Sequence, residues 1–271
     1  MTQPVPIRPI EASGPRSACI HDWLLGGVEN SAPDRAAARA LLAVHPHASQ
    51  YARTAADYVT TELARLAEGG VYQVLDLGCG LPKPGHPTPY EVVVRHHERA
   101  RVVYCDNDPM VLAHARTELD QSPGTRVVPW DLAVPGLFDD PDVRGHLDLG
   151  KPLAVVLAGV IECLDAPAAA RLLHDCLSAL PDGSAVIVAT TVCPDLATTT
   201  LINATMARAT GAAWGHLRSS AQLTALHPAL HALVPPPPAT GPEVTGAHAG
   251  WGSVHHPELI TGTLHTARDA R

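Results

Sequence analysis

Apolar positions recur along this chain with two periods. Over residues 34–46 (DRAAARALLAVHP) and 51–68 (YARTAADYVTTELARLAE), Ala, Leu and Val return every three or four residues, which predicts two amphipathic helices, the second stopped by Gly69-Gly70. Beyond them the pattern alternates between short apolar runs and helical spacing. It predicts strands over 71–78 (VYQVLDLG), 101–106 (RVVYCD) and 125–132 (TRVVPWDL), with helices over 90–98 and 109–120 between them. The second of these helices opens with Asp108 as N-cap and Pro109 at its first position. The nearly continuous apolar run over 151–164 (KPLAVVLAGVIECL) is what a central parallel strand covered on both faces requires. A helix over 166–183 with a Pro-Asp-Gly stop and a buried strand over 184–192 follow.

Strands joined by single helices imply right-handed crossovers. The predicted fold class is therefore α/β, a doubly wound and mostly parallel sheet preceded by an N-terminal helical segment. The expected organisation is a leader and helical segment over residues 1–68 and an α/β domain over 69–271. From about residue 194 the pattern weakens. A helix over 195–210, a short helix over 219–230 capped by Ser219 or Ser220, a rigid Pro-rich connection over 234–242 and a last strand over 249–254 are the expectations there.

Composition narrows the function classes. With 46% apolar and 17% charged residues, the 271-residue chain can bury a large core and has none of the signature of disorder. Its net charge of −8 argues against nucleic acid and anionic membranes, which are held by clustered Lys and Arg, so a small-molecule substrate is expected. The six cysteines are scattered singly, with no close pair and no His at ligand spacing. They read as buried free thiols rather than a zinc site, and no metal is expected. With no signal-peptide pattern at its start, the chain is expected in the cytoplasm. A homodimer is the oligomeric state to test.

The candidate chemistry lies at strand ends, because an open α/β sheet binds ligands outside the carboxyl ends of its strands. In VLDLGCGLP, Gly78 and Gly80 let the backbone approach a ligand closely, and Asp76 places a carboxylate beside the same turn. A carboxylate there suits a cation better than a pyrophosphate, and Lys83 stands where a third glycine would complete the dinucleotide fingerprint. At the second strand end, Asp106 is placed to accept from ribose hydroxyls, with Asn107 beside it, although Asp106, Asn107 and Asp108 can also form only a turn and a cap. At the third, Asp131 can accept from an adenine amine with Leu132 against the ring. Trp130 either packs on the base or fills the core.

Three acidic strand ends in this order, the first inside D-x-G-x-G, resemble the S-adenosylmethionine site of class I methyltransferases. The segment RSACIHDWLLGGVENSAPDRAAARALL narrows the likeness. Through Asp22, Trp23, Leu24, Leu25, Gly26, Gly27, Glu29, Asn30, Asp34 and Arg35 it is similar to an actinobacterial S-adenosyl methyltransferase family, formerly a domain of unknown function. The likeness runs over roughly residues 16–190. It implies a Rossmann-like fold, S-adenosyl-L-methionine as cofactor and methyl transfer, with residues 1–68 acting as a lid that brings Asp22, Gly27 and Asn30 near the donor. Departures are His21 where the family has Tyr, Val28 where Lys is common, a longer Pro-rich loop after Pro82, Glu162 where His is usual, and a divergent end after Arg218-Ser219, without the family's usual last strand.

Methyl transfer needs mainly alignment and exclusion of water, with a base only for a protonated nucleophile. Glu162 is the first candidate for a base or an ammonium receptor, against a plain loop hydrogen bond. His21 is the second, against a surface imidazole. Leu-Leu-Gly-Gly reads as a hinge. Arg218 is either a receptor for a substrate carboxylate or a surface residue. The leading reading is a methyltransferase of small molecules, placed in specialised metabolism. The alternatives are a non-methylating enzyme on the same scaffold and a silent cofactor-binding protein.

Overall fold

A computed structural model describes residues 14–211, 214–234 and 257–266. Its sheet has six strands in the order β3-β2-β1-β4-β5-β6: β1 (Gln73–Leu77), β2 (Arg101–Asp106), β3 (Thr125–Pro129), β4 (Ala154–Ala158), β5 (Ala185–Val192) and β6 (Glu258–His265). The first five strands are parallel, and β6 runs antiparallel to β5. Strand order reverses between β1 and β4, so a crevice opens above their carboxyl ends.

Period-two alternation decides which residues meet which layer. Leu75, Leu77, Val103, Cys105, Val155, Leu157, Val186 and Val188 face one side and pack against α6 (Pro141–His146) and α7 (Ala166–Ala179). Val74, Val102, Tyr104, Ala154, Val156 and Ile187 face the other, against α3 (Ala48–Glu68), α4 (Pro89–Val94) and α5 (Pro109–Glu118). Both faces are dry, which is why these strands read as unbroken apolar runs. Val59, Leu63, Leu66 and Ala67 of α3 belong to the sheet's own core, so the boundary expected after residue 68 falls inside one packed layer.

A third cluster caps the crevice. Ile20, Leu24 and Leu25 from α1 (Ser17–Leu24) and its end, Ala37, Ala38 and Leu41 from α2 (Ala32–Val44), and Ile202 and Met206 from α8 (Leu196–Thr210) bury one another. At roughly 1.5–3 kcal/mol per fully buried large side chain, this contact packs the cap firmly against α8.

The structure corrects several expectations. α1 was not predicted, because its apolar positions run directly into the Leu-Leu-Gly-Gly stretch. The run over 151–164 is strand only through Ala158; a 3-10 turn over Ile161–Cys163 follows Gly159, whose φ is +70°. The expected last strand over 249–254 lies outside the described residues, whereas β6 was not foreseen. Only Ile260 and Leu264 of β6 are buried, too sparse a pattern to read as a strand. α9 (Ser220–Thr224) begins as expected, with the Ser219 hydroxyl accepting from the Gln222 N–H.

Candidate active site

The crevice is a cavity of about 890 Å³ reaching from the β1 turn to α3 and α8. Gly78 (φ +66°) and Gly80 (φ +63°) form the turn after β1. A Cβ on Gly78 would stand 2.7 Å from the Val160 Cγ2 and 3.8 Å from the Leu132 Cδ1, so glycine is required there both for its backbone and for the closeness of the next strand's turn. Asp76, only 4% exposed, lines the cavity, and its carboxylate receives no hydrogen bond from any described residue. Burial raises its pKa; the Lys83 ammonium works against that, and Asp106 adds to it. A nearly buried carboxylate without a donor is costly unless a ligand supplies one.

Asp106 is differently provided. Its Oδ2 accepts the Gly80 N–H (3.1 Å) and its Oδ1 the Asp108 N–H (2.9 Å), which fixes the carboxylate and leaves a lone pair on each oxygen for a pair of hydroxyls. Burial raises its pKa more than these amides lower it. Asn107 is exposed at the cavity rim. Asp108 caps α5 through the Met110 N–H and is bound by Arg16 at 2.7 Å, so the cap role assigned to it is correct. Asp131 and Leu132 both line the cavity, with the Asp131 Oδ1 fixed by the Ala133 N–H. Trp130 belongs to the core, its indole N–H donating to the Val134 carbonyl at 3.1 Å, and it also borders the cavity. The carboxyl groups of Asp76, Asp106 and Asp131 therefore border one space.

The N-terminal motif is a knot rather than a hinge. The N–H groups of Gly26 and Gly27 donate to the carbonyls of Trp23 and Asp22, closing α1 in a Schellman arrangement that needs the φ of +87° at Gly26. The Asp22 carboxylate lies on Gly27, where a Cβ would come within 1.8 Å of its Oδ1, and it accepts the Asn30 amide at 2.7 Å. Asn30 also donates to the Gly27 carbonyl, and Arg35 binds Asn30 in turn. Asp34 accepts from the Ser31 N–H and hydroxyl and from the Arg16 N–H. Of the three residues expected near the donor, only Asp22 lines the cavity; Gly27 and Asn30 stand behind it and hold it. His21 also lines the cavity. Burial, then Lys83, brings its pKa down to about 4, so at neutral pH it is an uncharged imidazole and a weak base.

Glu162 sits at the junction of β4, β5 and the loop before α9. Its Oε1 accepts the Thr191 N–H at 2.6 Å, its backbone carbonyl accepts the N–H groups of Gly215 and His216, and its Oε2 is buried without a well-formed bond. Burial raises its pKa, opposed by amide and Thr190 hydroxyl contacts and by Arg218. Arg218 corrects the sequence reading. It is neither on the surface nor in the cavity lining: its guanidinium donates to the carbonyls of Ile161 (2.7 Å), His216 (2.9 Å) and Leu164 (2.6 Å), leaving no fork for a substrate carboxylate.

Sequence reasoning did not foresee Lys83, Cys163, Tyr51 and Trp214 as cavity-lining residues. For Lys83 a signal existed. Lys-Pro-Gly-His is the composition of a type II turn, and the structure has one, with Gly85 at φ +75° and the His86 N–H on the Lys83 carbonyl at 3.1 Å. Tyr51 and Trp214 come from α3 and from the loop after α8, and only the fold brings them together.

The sequence model of a family described as S-adenosyl methyltransferase matches residues 4–237. Among solved structures, a candidate methyltransferase from Thermobifida fusca is 26% identical, with a TM-score of 0.78 over 97% of this chain and 100% of its own. A DUF574 family protein from Streptomyces avermitilis is 28% identical, with a TM-score of 0.67 over 79% of this chain and 82% of its own. No curated protein matches the chain. No helix among the described residues is long and apolar enough to cross a membrane. The match over most of its length shows that the chain belongs to the S-adenosyl methyltransferase family, and that it is a methyltransferase dependent on S-adenosylmethionine.

Proposed function

We propose that this enzyme methylates a small, largely apolar acceptor seated in the arm of the cavity walled by α1, α3, α8 and the end of β5. The observation that carries this reading is continuity: the acidic strand ends and the apolar arm share one cavity of about 890 Å³. That is a volume suited to small ligands. The arm is bounded by Leu24, Tyr51, Ala52, Ala56, Thr210 and Trp214. Among the described residues, Arg16 and Lys83 are the only Lys or Arg bordering the cavity, and both lie toward the β1 turn, so these residues offer a phosphorylated acceptor no cation in the arm. The net charge of −8 likewise speaks against nucleic acid.

At the donor end, the side chains of Asp76, Asp106, Asp131 and Leu132 suit an adenosine joined to an amino acid, with Gly78 and Gly80 giving room for it and Asp22 and Asn107 at its edges. The cofactor supplies an electrophilic methyl group. The chain aligns the acceptor with it and keeps water out. Glu162, between the two ends, is the group we assign to take the acceptor's proton or to receive its ammonium, since burial raises its pKa and so makes its carboxylate more basic. His21 is not assigned as a base, being too weakly basic. The six cysteines are unpaired, which supports action in the reducing cytoplasm, and specialised metabolism fits an apolar acceptor.

The test is native mass spectrometry of the enzyme purified without added ligand, followed by turnover with methyl-labelled S-adenosylmethionine against aromatic amines and phenols. Label in such an acceptor, lost in Glu162→Gln while calorimetric affinity for the cofactor is kept, supports the assignment. Full turnover in Glu162→Gln removes the proposed base, and label confined to phosphorylated or polymeric acceptors removes the acceptor class.

A further inference from the structure

The turn after β1 presents two opposite charges to one cavity without joining them. On one side is the Asp76 carboxylate, almost wholly buried and bonded by no described donor. On the other is Lys83, whose Nζ donates to the Cys79 carbonyl at 3.3 Å, within the Gly78–Gly80 turn itself. Among the described residues Lys83 is in no ion pair. Arg16, the other cation bordering the cavity, is committed to Asp108 at 2.7 Å. An unpaired carboxylate in so dry a place and an unpaired ammonium next to it, held apart, complement a ligand that carries both charges on adjacent atoms.

We propose that Lys83 receives the α-carboxylate of the methyl donor while Asp76 receives its α-ammonium, making Lys83 a cofactor-binding residue of this chain. The proposal rests on the reading that the adenosine end lies at Asp106 and Asp131.

Lys83 is presented rigidly enough for this. It is the first residue of the type II turn Lys83-Pro84-Gly85-His86, closed by the His86 N–H on its carbonyl. His86 is in turn tied to α3 through Asp57, 3.0 Å from its Nε2. His21, which faces the same ammonium, is uncharged at neutral pH and does not compete for the carboxylate. The Pro-rich loop after Pro82 therefore has a use: it places a cation where the glycine turn leaves the amino-acid end of the donor open.

The probes are S-adenosylmethionine, S-adenosylhomocysteine and 5′-methylthioadenosine, titrated calorimetrically into wild type, Lys83→Met and Lys83→Arg. The third keeps adenosine and sulfur but has no carboxylate or ammonium. Loss of a charged hydrogen bond predicts that Lys83→Met binds the first two about tenfold to hundredfold more weakly and the third within about twofold of wild type, with Lys83→Arg recovering most of the loss. Equal weakening of all three ligands, or no weakening, overturns the role of Lys83 while leaving the donor site intact. Wild type that binds none of the three overturns the donor reading and this proposal with it. Melting temperatures of both variants check that the fold is kept.

Discussion

Replacing Arg218 with Met separates two accounts of this residue that the sequence left open. In the structure Arg218 is 8% exposed, and its guanidinium serves three carbonyls, at 2.6, 2.7 and 2.9 Å. Charge-assisted bonds of this kind contribute about 1.5–3 kcal/mol each, but three on one side chain are not additive, and removing the donor from buried acceptors costs about 3–5 kcal/mol in total. For a domain of this size that lowers the melting temperature by about 6–20 °C. Arg218→Lys should recover little, because one ammonium cannot serve three carbonyls lying in different directions. Glu162 adds a second readout. Arg218 opposes the upward shift of its pKa, so the Met variant should move the acid limb of the pH–rate profile to higher pH. Differential scanning calorimetry with cofactor titration at low temperature decides the matter. A variant that melts like wild type but needs far more acceptor for half-maximal rate would restore the carboxylate receptor and refute the clamp.

Two further outcomes follow from the N-terminal knot. Gly27→Ala puts a methyl group 1.8 Å from the Asp22 Oδ1 and must displace a carboxylate bonded to Asn30, so it should cost about 1–3 kcal/mol of stability and weaken cofactor binding; a melting curve and affinity like those of wild type would disprove the knot. The His21 imidazole is held near 4 against an ordinary 6.5, so below about pH 6.5 the unfolded chain takes up a proton that the folded chain refuses until about pH 4. Stability from this site is therefore full above pH 6.5 and lost as pH falls toward 4, and between pH 7 and 5 urea unfolding should show wild type losing about 1–2 kcal/mol more than His21→Tyr, allowing for the partial exposure of the ring. Equal losses would contradict the burial argument.

How much of this was legible depended on the range over which each signal acts. The five parallel strands were readable because both faces of the sheet are covered, so apolar runs ending in Asp76, Asp106 and the stretch before Asp131 carried the fold and the proposed donor site together. α1 was lost to a local ambiguity. Two glycines after two leucines look like a hinge, and only the carbonyls of Asp22 and Trp23 reveal a helix stop. Arg218 was beyond sequence reasoning for a different reason: two of its acceptors, Ile161 and Leu164, stand 57 and 54 positions earlier in the chain. Glu162 was expected at the end of the fourth strand but stands four residues past it in the 3-10 turn over Ile161–Cys163, and its bond to the Thr191 N–H joins two segments 29 positions apart that no spacing encodes.

The turn after β4 joins the two ends of the site mechanically. Val160 packs where a Gly78 side chain would be, so this turn sets how closely the donor's cradle is closed from the side. Two residues on, Glu162 holds the end of β5 through Thr191 and the 215–216 loop through its carbonyl, which fixes walls of the acceptor arm. Arg218 supports both from beneath by tying Ile161 and Leu164 to His216. The proposed donor and acceptor walls thus share one short segment. A displacement of that segment changes the approach of the acceptor to the methyl carbon before it changes the binding of either ligand, and a misplacement of about 1 Å is enough to slow an aligned displacement about a hundredfold. Damage to the loop before α9, which belongs to none of the acidic strand ends, should therefore fall on kcat more heavily than on cofactor affinity. The loop before α9 and the Gly78–Gly80 turn act on the same distance from opposite sides.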